Sequence, residues 1–163
     1  GQHPWYNHQA AQFIDGLPGP MNIYVHDRGL GMASVVIYHC CDWNSSMPKR
    51  VYADSRLEAN TVKVLTDFHR IPKLLETDPH EARRVLLASQ TQMPVLFLGN
   101  SLLLSRPLLL QRLISDPYWQ CIYLDPPDAR TGEQGVTVFM PAPMRNQLEV
   151  DSVSIVPLLE LSR

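Results

Sequence analysis

The segment PVLFLGNSLLL, Pro94 to Leu104, puts a serine where chemistry is possible. An apolar run leads into Gly99, Asn100 and Ser101, and a leucine-rich run follows, the pattern of a strand that ends and a helix that begins. The first backbone N–H groups of a helix point outward at such a junction and can stabilise an oxyanion. Ser101 is therefore the candidate nucleophile, with Asp42 or Asp125, each placed after an apolar run, as the carboxylate across from it. The bland alternative is that Ser101 is the N-cap, its hydroxyl accepting from a helix N–H. Capping predicts that Ser101→Ala lowers stability by about 0.5–2 kcal/mol.

Within this segment VLFLGNSLL resembles the first sequence block of the SGNH/GDSL hydrolases, in which a strand ends in Gly-Asp-Ser or Gly-Asn-Ser. The resemblance implies a nucleophilic Ser101 and a base supplied by an Asp and a His near the C-terminal end of the domain. Here all six histidines (His3, His8, His26, His39, His69 and His80) precede Ser101. A serine without a base is a weak nucleophile at neutral pH. The order of residues thus favours the cap and a domain that is not an enzyme, leaving Gly99, Asn100 and Ser101 as the ligand crevice if the domain has one.

Other constellations are thinner. His26 and His39, with Cys40, Cys41 and Asp42 close by, invite a metal, but the short spacings of zinc sites are missing and no metal is expected. The glycines of HDRGLG and GLPGP do not open a helix after a strand. Neither nucleotide-binding glycine pattern is present, so no cofactor is expected. Asp125 and Asp128 form a carboxylate pair in DPPD, where the prolines also explain them as a rigid turn. Trp5, Tyr6, Trp43, Tyr118 and Trp119 all sit beside chain reversals, and Trp, Tyr and Arg are the residue types that anchor protein interfaces. These five are the candidate partner-binding residues.

The elements that would position these groups can be read from pattern. Residues 1–20 give an N-terminal arm or short helix from Asn7 to Phe13, closed by the loop DGLPGP. MNIYVHD and MASVVIYHC, rich in β-branched and aromatic residues, read as two strands of a hairpin turned at RGLG. A helix is expected from Asp54 or Ser55, with Leu57, Val62, Leu65 and Phe68 as its apolar stripe. DPHEARRVLLASQ is a second helix, with Asp78 as cap, Pro79 in its first position and Glu81 in its first turn.

PVLFLG is a strand buried on both faces. SLLLSRPLLLQRLIS is a helix broken at Pro107, and QCIYLD is a strand, together making a right-handed crossover. VTVFM is another strand, PAPMRNQ a turn, and VDSVSIVPLLEL a last strand. The expected fold is α/β: a mixed, mostly parallel sheet of five or six strands with helices packed on it, a Rossmann-like layered sandwich preceded by a β-hairpin. Residues 21–163 form the single domain.

Totals narrow the function further. The chain has 163 residues, 45% hydrophobic and 18% charged, with a net charge of −2 and three lysines. That balance is globular, and no basic run offers a footprint for nucleic acid. No apolar stretch approaches the roughly 20 residues of a membrane-spanning helix, so this segment is not expected to insert. Gly1-Gln2 reads as a cleavage scar or the edge of an excised domain. The three cysteines are read as free buried thiols. Two functions remain. The first is a non-catalytic domain of a larger protein that recognises a protein partner or other domains of its own chain, as an adaptor or in complex assembly. The second is a hydrolase or small-ligand domain that uses the crevice at Asn100 and Ser101.

Overall fold

A computed structural model describes residues 8–27, 31–40, 49–53, 62–63, 70–88, 93–125 and 135–162. In chain order they form α1 (His8–Asp15), β1 (Met21–His26), α2 (Gly31–Cys40), β2 (Lys49–Tyr52), β3 (Val62–Lys63), α3 (Ile71–Thr77) and α4 (Pro79–Ala88). Then come β4 (Met93–Gly99), α5 (Asn100–Ser105), α6 (Pro107–Ser115), β5 (Trp119–Leu124), β6 (Val136–Pro141), α7 (Ala142–Leu148) and α8 (Val156–Leu161).

The strands make one mixed sheet in the order β3-β2-β1-β4-β6-β5, with β3 contributing only two residues. β1 pairs in parallel with both β2 and β4, and β2 with β3. β6 runs antiparallel to both β4 and β5. Strand residues alternate between two cores, as a period of two requires. Met21, Ile23 and Val25 of β1, Val95 and Phe97 of β4, and Val136 and Val138 of β6 join Ala10, Ala11 and Ile14 of α1 with Val36 and Cys40 of α2. Tyr24, Tyr52, Leu96, Leu98 and Phe139 face the other way, onto leucines of α3, α4, α5 and α6 and onto Leu158 of α8. Burial on both faces is why β4 reads as a continuous apolar run rather than an alternating one.

No hairpin precedes the sheet among the described residues. Residues 31–40, expected as its second strand, form α2, because parallel partners β1 and β2 cannot be joined by a tight turn and need a crossover. The β-branched residues that suggested a strand serve a helix instead, with Val35, Val36 and Cys40 buried. The expected stripe over 54–68 is interrupted at Val62, which lies in β3, while Leu57, Leu65 and Phe68 fall outside the described residues. PAPMRNQ is not a turn but contributes to α7; its prolines occupy the entry to the helix, where no N–H is needed. VDSVSIVPLLEL is not a strand either: 151–155 is irregular and α8 follows.

Other local signals hold. Asp78 Oδ1 accepts the Glu81 N–H at 3.1 Å at the start of α4, as its capping role requires. The helix after β4 divides at Arg106, one residue ahead of Pro107. β4 and β5 run in the same direction, as a crossover demands, but β6 is slotted between them. No helix among the described residues is long and apolar enough to cross a membrane.

Candidate functional site

β4 ends at Gly99, whose extended backbone (φ −66°, ψ 137°) is itself the N-cap of α5. Ser101 is therefore not the cap: it sits one residue inside the helix, where its hydroxyl is out of position for the capping bond, and no side chain caps α5. The strand delivers the turn one residue earlier than the serine signal suggests, and glycine is an acceptable cap in its own right. Ser101 is half-buried. No histidine is hydrogen-bonded to it among the described residues.

Asn100, the first residue of α5, is fully buried. Its backbone N–H donates to Gly135 O at 2.9 Å, and its side-chain Oδ1 accepts from the Thr137 hydroxyl at 2.6 Å. That second bond fixes the orientation of the amide. Nδ2 is left buried without a hydrogen-bond partner, a situation that costs about 1–3 kcal/mol when nothing answers the donor.

Asp125 follows β5 and is committed to the fold. One carboxylate oxygen accepts from Tyr123 OH and the other from the Val136 N–H, each at 2.7 Å. Its own N–H donates to Val136 O at 3.0 Å. Burial raises the Asp125 carboxyl above its ordinary range, and the two donors pull it partly back. Burial, reinforced by the neighbouring carboxylate, raises the Tyr123 phenol. Gly135 closes the cluster, because a β-carbon there would lie 2.7 Å from Asp125 Cβ and 2.8 Å from Asn100 Nδ2.

Asn100 and Asp125 thus meet around Gly135. Thr137, Tyr123 and Gly135 are additional members that sequence reasoning did not single out. The signal for Thr137 was available: it is the one polar residue in the apolar strand VTVFM.

His26 ends β1 and is buried, aligned across the sheet with Leu98 of β4 and, beyond it, Thr137 of β6. His39 lies in the last turn of α2, with His8 as a hydrogen-bond partner. Cys40 and Cys121 are both buried, and Cys121 is a free thiol. Cys41, Asp42 and Asp128 lie outside the described residues. No group of three or more His, Cys, Asp or Glu placed to hold a metal occurs among the described residues.

Of the five aromatics, Trp5, Tyr6 and Trp43 fall outside the described residues. Trp119 is 4% exposed and belongs to the core under α6. Tyr118 is half-buried, with the Arg83 guanidinium 4.4 Å above its ring and Trp119 edge-on beside it.

No protein-family model matches this chain, and no curated protein or solved structure shows significant similarity to it.

Proposed function

We propose that this is a Rossmann-like domain that binds a small polar ligand at the carboxyl ends of β1 and β4. The observation that carries the proposal is the strand order. From β1 the chain moves outward to β2 and β3, then returns to place β4 on the other side of β1. In open α/β sheets such a reversal leaves a crevice beyond the strand ends, and ligands bind there. The distribution of polar groups agrees. Of the four buried polar residues among those described, His26, Asn100 and Thr137 cluster at this end of the sheet, and only Asn22 lies at the other.

Asn100 suggests what the ligand offers. With its oxygen occupied by Thr137, the buried amide keeps an N–H donor that no hydrogen bond in the fold answers, and its complement is a carbonyl, hydroxyl or ring-nitrogen acceptor. Ser101 adds a hydroxyl beside it. The role is recognition rather than hydrolysis, since Ser101 has no hydrogen-bonded base among the described residues. Recognition of a protein partner draws less support, because Tyr118 and Trp119 are engaged within the fold.

The test is a metabolite panel screened by thermal shift, with each hit mapped by ¹⁵N–¹H spectra of the full chain. The expected result is a hit that perturbs Gly99, Asn100 and Ser101 together with His26 and Asp27, and whose effect is lost in Asn100→Asp. Hits that leave those five resonances in place, or a panel with no hit, would sink the proposal.

A further inference from the structure

α1 and α2 are held together by small and β-branched residues. Ala10, Ala11 and Ile14 of α1 share one core with Val36 and Cys40 of α2, and the Cys40 thiol lies 3.5 Å from Ala11 O. This packing brings together two histidines that are 31 residues apart in sequence. His8 opens α1 and His39 lies in the last turn of α2, with His8 Nδ1 and His39 Nε2 2.6 Å apart. The rings are perpendicular, their centroids 4.7 Å apart, and Tyr38, 78% exposed, stands edge-on to His39. Two ring nitrogens aimed at one point either share a proton or donate both lone pairs to something else.

We propose that His8 and His39 form a two-histidine site for a zinc-type divalent ion bridging α1 and α2. Imidazole nitrogen suits zinc, nickel and copper, whereas magnesium and calcium need oxygen ligands. Metal–nitrogen bonds of about 2.0–2.1 Å in tetrahedral geometry put two ligand nitrogens about 3.3 Å apart. The pair must therefore open by roughly 0.7 Å, a small side-chain rotation for two half-buried rings at helix ends. The ion takes the place of the bridging proton, which passes through solvent to the other nitrogen of its own ring, so both imidazoles bind as neutral ligands. No third His, Cys, Asp or Glu completes the set among the described residues, so these two imidazoles define the site, and water can fill positions that no side chain takes. Its effect is to cross-brace the first helix to the sheet's crossover helix.

The full chain, freed of metal with a chelator, is titrated with zinc chloride by calorimetry and followed by thermal melting. One saturable equivalent is expected, with a rise in Tm because the folded pair binds and the separated helices do not. His8→Ala and His39→Ala should each weaken binding at least tenfold, while His80→Ala, on the exposed side of α4, should leave it unchanged. His8→Gln and His39→Gln, checked for native circular dichroism, give the same comparison if an alanine variant fails to fold. Zinc affinity retained by the double variant, or no saturable binding by the wild-type chain, would overturn the site.

Discussion

A single β-carbon at Gly135 would collide with Asp125 and crowd the Asn100 amide, and nothing there is free to move aside. Asp125 is held by two hydrogen bonds and Asn100 by its bonds to Thr137 and Gly135. Gly135→Ala should therefore lower stability by about 1–3 kcal/mol, the usual cost of overpacking, measured by urea denaturation. Ser101→Ala should change it by less than about 0.5 kcal/mol, because no capping bond is lost. A larger loss for serine than for glycine would mean that the end of β4 is built differently. Ser101 was the conspicuous residue in the sequence, and the residues beside it at the strand end matter more to the cluster. Adjacency along the chain announces a motif, whereas Gly135, Thr137 and Asp125 are recruited by strand pairing.

At the level of elements, α4, the turn after α6 and the start of β5 are fastened by one group. A terminal guanidinium nitrogen of Arg83 donates to both carboxylate oxygens of Asp116 at 2.5 Å. The Tyr118 N–H donates to Asp116 Oδ1, and its ring lies under the same guanidinium. Arg83→Ala should cost about 1.5–3 kcal/mol by chemical denaturation, the range for hydrogen bonds to charged partners. Arg83→Lys should recover only part, since an ammonium cannot reproduce the planar stacking contact. An alanine variant as stable as the parent would show that the fastening is superficial.

The elements best read from sequence were those with local punctuation: α4 with its Asp78 cap, the break ahead of Pro107, and the apolar runs of β4 and β5. α2 was misread because Val35, Val36 and Ile37 favour strands in isolation, while the need for a crossover is a property of where β2 sits. α7 and α8 are too short to show a helical period. Of the candidate site, Asn100 and Asp125 were legible as strand ends. Their meeting at Gly135 was not, because it depends on β6 inserting between β4 and β5.

Across the whole molecule, acids buried in their neutral forms set the response to alkali. Burial pushes the Cys121 thiol up to about 11 from an ordinary 9.0, and burial also raises the phenols of Tyr52, Tyr118 and Tyr123. Between these limits the unfolded chain has released the thiol proton and the folded chain still holds it. The contribution of the neutral Cys121 thiol should be fully present below pH 9 and be lost as pH rises towards 11, by on the order of 2–3 kcal/mol. Urea midpoints at pH 8 and pH 10.5 should show the decline, and Cys121→Ala should make it shallower. An unchanged slope in that variant would remove the thiol from the account.

The position of β1 has a consequence for how the molecule comes into being. Both edges of this central strand pair in parallel, with β2 and with β4, and Met21 meets Met93. Parallel pairing allows no neighbouring hairpin, and every contact β1 makes within the sheet closes a long loop. During synthesis MNIYVH precedes both of its mates: β2 can cover one edge, but the other edge stays open until β4 has been made. A strand enclosed on both edges in the finished sheet is thus half sheltered for the length of chain between β2 and β4, and the arrival of β4 ends that exposure.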